Sequence, residues 1–132
     1  MLSGHPEGMA LPPAPKPEGP WIVAAAATNT AWSGPWGVSF TANLTPDAET
    51  GLGSWTEKMF IEAMRTGRHL GKGRPILPPM PWISLRDATD KDLKAIFAYL
   101  RTLKPVKHRM DNTEPPTYCK ICRHKHGGGD LN

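Results

Sequence analysis

The sequence predicts an all-α fold, a small domain of a few short helices joined by long loops. Three observations carry this expectation. Fifteen prolines and thirteen glycines stand among 132 residues, well above the roughly 12% that the pair contributes to ordinary chains. Both residues suit loops better than the interiors of helices or strands. Two segments combine a capping pair with apolar residues at helical spacing. Five tryptophans argue against simple disorder, because disordered chains are poor in aromatics. A loop-rich domain of this size struggles to fill its own core, which invites a cofactor or a partner.

Residues 1–20 read as a proline-punctuated arm, in which Pro12, Pro13, Pro15, Pro17 and Pro20 forbid a helix. A docked arm of this kind can lie on a surface as polyproline II. Residues 21–106 form the main domain. Short extended pieces are possible around residues 21–27 and 38–42, but no clean period marks them. The first helix is expected over residues 55–66, with Ser54 and Glu57 as its capping box. Trp55, Met59, Phe60, Ala63 and Met64 share one face of it, and Gly67 stands where a helix ends. Residues 67–88 read as an irregular loop, broken by Pro75, Pro78, Pro79 and Pro81. The second helix is expected over residues 90–103. Thr89 and Asp92 cap it, and Leu93, Ile96, Phe97 and Leu100 form its apolar stripe. Residues 107–132 read as a flexible tail carrying a C-x-x-C.

The formal net charge is +4, and its distribution is uneven. Residues 56–109 hold twelve Lys and Arg against five Asp and Glu. Such a segment either docks on an acidic partner or presents solvated helix faces. Nucleic-acid binding is not expected, because Phe60 and Phe97 fall on apolar stripes rather than among the basic residues. No run of 18 apolar residues predicts a membrane-spanning helix, and residues 1–20 lack the pattern of a secretory leader. Gly71-Lys72-Gly73-Arg74 lacks the strand and fuller pattern of a phosphate-binding loop. No Ser/His/Asp set or carboxylate pair of catalytic character stands out.

Met80 is the candidate functional residue. It sits in Pro78-Pro79-Met80-Pro81-Trp82, where three prolines leave the backbone few conformations. A thioether held on such a loop between two amphipathic helices suits an axial ligand of haem iron. The alternative is a methionine that fills a gap in the core.

An ordered series of residues extends this reading. It runs through Asn43-Leu44-Thr45-Pro46-Asp47, Thr50-Gly51-Leu52-Gly53-Ser54-Trp55-Thr56, Phe60, Arg65-Thr66-Gly67 and Leu77-Pro78-Pro79-Met80-Pro81. It continues through Thr89-Asp90-Lys91-Asp92-Leu93 and residues 95–103. The series resembles the class I c-type cytochrome domain, in the branch that includes cytochrome subunits of bacterial dehydrogenases. The resemblance covers residues 40–106, with a weaker echo at Leu2-Ser3-Gly4-His5-Pro6. It implies a small helical domain with long loops, haem c as cofactor, Met80 as distal ligand and electron transfer as function, in a monohaem or multihaem protein. It also implies that Asn43, Pro79, Trp82 and Tyr99 lie near the haem. It points to a periplasmic protein and to a redox partner, and basic residues near the methionine loop, such as Lys72, Arg74 and Arg86, suit a partner with an acidic docking surface. The role implied is an electron carrier for a dehydrogenase complex, one that can be membrane-associated, rather than an enzyme in itself.

The family binds haem covalently through C-x-x-C-H, and this sequence contains none. The family's first helix is missing as well. The expectation is a start downstream of the motif, the alternative a haem-free binding module on the same fold. Cys119-Lys120-Ile121-Cys122 is followed by Arg123 and then His124, which displaces the imidazole by one residue. Cys119, Cys122, His124 and His126 could instead hold zinc, although the two histidines are closer together than in most zinc fingers. His5 could reach a haem from the arm, whereas His69 and His108 read as surface residues.

Overall fold

The computed structural model describes residues 2–110, 117–118, 123 and 125–126. In chain order the elements are β1 (Ala24–Ala25), β2 (Ala31–Gly34), β3 (Gly37–Phe40), α1 (Glu57–Thr66) and a single 3-10 turn at His69–Gly71. Then come α2 (Trp82–Leu85), α3 (Asp90–Arg101), β4 (Thr117–Tyr118) and β5 (Lys125–His126). The all-α expectation is therefore corrected. An antiparallel sheet in the order β1-β2-β3 stands beside three helices, and the fold is mixed α and β.

The sheet leaves little trace in the sequence for a physical reason. β2 and β3 form a hairpin in which Ala31 pairs with Phe40, Trp32 with Ser39, Ser33 with Val38 and Gly34 with Gly37. Ala31, Ser33 and Ser39 are its buried positions. Burial alternates along β2, but the buried side chains are small or hydroxylated, so hydrophobicity shows no matching period. The connection is the two-residue turn Pro35-Trp36, and Gly37 takes a φ of 100° that a side chain would resist.

Both long helices form where their patterns place them. Thr56, rather than Ser54, caps α1, and its Oγ1 accepts from the Met59 amide at 3.2 Å. At the other end Gly67 adopts the left-handed conformation and donates its amide to Ala63. The Trp82 indole packs directly on Gly67, which leaves no room for a Cβ there. Thr89 caps α3 by accepting from the Asp92 amide and donating to its carboxylate. Residues 67–88 are more ordered than expected, since α2 and a bridge between Arg68 and Pro75 lie within them.

The core sits between α1 and α3. Phe60, Ala63 and Met64 of α1 meet Leu93, Phe97 and Leu100 of α3, with Leu52 from the preceding turn. The Phe60 and Phe97 ring centroids lie 5.2 Å apart. Burying each large side chain contributes about 1.5–3 kcal/mol. Two arginines fix the helix ends. Arg101 donates to the carbonyls of Leu52 and Gly53. Arg65 donates to the carbonyls of Arg86 and Ala88 and pairs with Asp90 at 2.6 Å.

The start of the arm packs on the sheet side. The Leu2 carbonyl accepts from the Leu44 amide, and the His5 amide donates to Thr41. His5 is 6% exposed. Its Nε2 lies 3.1 Å from the Met9 carbonyl, which can only accept, so Nε2 carries the proton. Nδ1 lies 2.7 Å from Thr30 Oγ1, and both ring nitrogens serve the fold. No helix among the described residues is long and apolar enough to cross a membrane.

Candidate functional site

The chain from Gly67 to Pro81 folds back on itself to form one wall of a cavity. The Ile76 amide donates to the Gly67 carbonyl at 2.9 Å, and the His69 amide to Arg74 at 2.9 Å. This return places Leu77 in the interior and carries the chain into the proline-rich turn. There the Met80 amide donates to Leu77 and the Trp82 amide to Met80. The Ser39 hydroxyl of β3 donates to the Pro78 carbonyl at 2.5 Å and itself accepts from the Trp36 indole. The sheet thus holds the methionine loop by its proline carbonyl.

The cavity measures about 380 Å³, within the roughly 300–1,000 Å³ of small-molecule sites. Trp32 and Phe40 line it from the hairpin, Leu52 and Trp55 from the turn before α1, and Phe60 and Met64 from α1. Ile76 through Pro81 close the remaining side, and Met80 is 37% exposed. Such a wall suits a large apolar ligand, and its soft donor atoms are thioether sulfurs. A larger but shallower groove of about 680 Å³ runs between residues 5–11 and 107–110. Three of its polar side chains are held by other protein groups, His5 by Thr30, Lys107 by Glu49, and His108 by the His5 carbonyl.

Of the residues expected near a cofactor, Met80, Pro79 and Asn43 line this one cavity. Trp82 lies against Gly67 at the end of α1, and Tyr99 is 62% exposed on α3; neither is among the lining residues. Asn43 is 4% exposed and committed to the fold. Its Nδ2 donates to the Val106 carbonyl at 2.8 Å and to Thr50 Oγ1, while its Oδ1 accepts from the amide and hydroxyl of Thr45.

His69 joins this site although its sequence neighbours suggest a surface position. It lines the cavity beside Trp55, with ring centroids 5.1 Å apart and the rings edge to face. Burial, and then the nearby Arg74 charge, hold its imidazole below the usual 6.5, which favours the neutral ring. The basic residues around it in sequence conceal its place in the wall.

Cys119, Cys122 and His124 lie outside the described residues, and of His126 only the backbone, in β5, is described. Among the described residues no cluster of three or more His, Cys, Asp or Glu could hold a metal ion.

No family model matches the chain. It is 40% identical over 83 residues to a nicotinate dehydrogenase subunit of Pseudomonas putida, covering 63% of this chain and 7% of that protein. It is 34% identical over 85 residues to the fructose dehydrogenase cytochrome subunit of Gluconobacter japonicus, covering 64% and 17%. It is 32% identical over 83 residues to the gluconate 2-dehydrogenase cytochrome c subunit of Pantoea cypripedii, covering 62% and 19%. Over about 60% of its length this chain is similar to cytochrome subunits of dehydrogenases. The chain spans less than a fifth of the length of each of these relatives.

Proposed function

We propose that this chain is the greater part of a c-type cytochrome domain that carries single electrons for a dehydrogenase, with the cavity as its haem pocket and Met80 as the distal ligand. The observation that carries this reading is a methionine, fenced by prolines, on a cavity walled mainly by aromatic and aliphatic side chains. Bound haem would supply one-electron transfer between ferric and ferrous iron. Met80 would offer a soft, uncharged sulfur that favours the ferrous state and raises the potential. Pro78, Pro79 and Pro81 restrict its backbone, so less conformational entropy is lost on ligation. Trp32, Phe40, Trp55 and Phe60 would exclude water and lower the local dielectric, a second control on potential.

In this reading the C-x-x-C-H attachment and the proximal imidazole come from outside the present sequence, and the assembly works in the periplasm. Lys72 and Arg86, exposed on the segments flanking the methionine loop, would steer an acidic redox partner.

The test is a spectroscopic titration of the purified chain with haemin, followed by reduction. Met80→Ala is expected to weaken binding and to alter the ferrous Soret spectrum. Identical affinity and spectra in both proteins would remove Met80 from the iron. No binding by the wild-type chain would overturn the cavity as a haem pocket.

A further inference from the structure

Besides the indoles of Trp32 and Trp55, five polar side chains line the cavity: Ser39, Thr41, Asn43, Thr50 and His69. Four of them are engaged with other protein groups. Ser39 donates to Pro78, Thr41 to the Thr30 carbonyl, and Asn43 to Val106 and Thr50. Thr50 donates to Asp47 and accepts from the His108 amide. His69 differs. Among the described residues its ring nitrogens have no hydrogen-bond partner, and its one side-chain contact of note is the edge-to-face packing on Trp55. It is half-buried, on the wall of the cavity. The Arg74 charge beside it makes that position favourable to an anion.

A ligand that matches this wall is apolar over most of its surface and acidic at one edge. We propose that His69 is the cavity's carboxylate contact, its ring N–H donating to an acidic group of the bound ligand, a propionate in the case of haem. This inference rests on the porphyrin reading of the cavity and adds to it a residue that sets ligand orientation. A neutral imidazole carries one N–H for such a bond. A hydrogen bond to a charged acceptor in a partly dry site is strong enough to change affinity on the order of tenfold. No bond to iron is involved, so the role is separable from that of Met80.

Metal-free protoporphyrin and its dimethyl ester make that separation, because neither has iron for Met80 to bind. Tryptophan-fluorescence quenching of the full chain measures both affinities. The wild type is expected to prefer the free acid to the ester about tenfold. His69→Leu, which lacks a donor, should lose that preference while still binding the ester. His69→Gln, which keeps an N–H donor, should restore part of it and also controls for folding. Equal wild-type affinity for acid and ester would overturn the proposal, as would an undiminished preference in His69→Leu; both results leave the haem pocket standing. Binding of neither porphyrin by the wild type would overturn the proposal together with the pocket itself.

Discussion

Ser39 and Pro78 are 39 residues apart in sequence, yet the Ser39 hydroxyl donates to the Pro78 carbonyl at 2.5 Å. This bond fastens a β-hairpin to the turn that presents Met80. Ser39 is 2% exposed and also accepts from Trp36 Nε1 at 3.3 Å, so one hydroxyl joins the hairpin turn to the methionine loop.

Replacing Ser39 with Ala removes both bonds and leaves the Trp36 N–H and the Pro78 carbonyl without that partner. The expected loss of stability is about 1–3 kcal/mol, read from urea denaturation. Faster amide exchange at Met80 should accompany it, because the loop loses its tie to the sheet. Unchanged exchange there would mean that the prolines alone hold the loop.

Asn43 provides a second test, of structural against ligand-contacting roles. Its amide group joins residues 43–50 to residues 106–108 through buried and part-buried hydrogen bonds. Asn43→Ala would leave the buried Thr45 amide and the part-buried Val106 carbonyl lacking this partner, so a loss of about 2 kcal/mol is expected. Chemical denaturation measures it. A nearly neutral effect on stability would show that the residues after α3 are held by other contacts.

His69 gives the chain a pH-dependent stability of known sign. Burial, then Arg74, hold its folded-state value below 6.5, so the unfolded chain binds this proton more readily than the folded chain. Stability therefore falls as pH drops through about 6.5 and levels off below the lowered folded value. The urea midpoint of the wild type should decline between about pH 7.5 and pH 5.5. His69→Gln, which does not titrate, should show a shallower decline. An equal decline in both proteins would assign the effect to other groups.

The two capped amphipathic helices and the proline-fenced methionine are legible in the sequence because their causes are local. Capping acts over three residues, and the apolar stripes of α1 and α3 recur every three or four. Even so, the cap of α1 falls on Thr56 instead of Ser54, since either hydroxyl can serve an amide three residues on. The hairpin is not legible. Its buried face is Ala31, Ser33 and Ser39, residues whose hydrophobicity is too low to mark the alternation that their burial follows. α2 is hidden among prolines, and begins immediately after one of them.

Local pattern in the chain was enough to set the two long helices, the place and company of Met80, and the likeness to dehydrogenase cytochrome subunits. That a sheet stands beside those helices emerges only on folding. So do the double duty of Asn43, which holds residues 106–108 as well as lining the cavity, the exposure of Tyr99 to solvent, and the cavity that His69 shares with Met80. These outcomes depend on contacts between residues far apart in the chain, Ser39 with Pro78 and Asn43 with Val106 among them. Such pairs leave no local period, because their energy appears only when the folded backbone brings a donor to its acceptor and removes water from both.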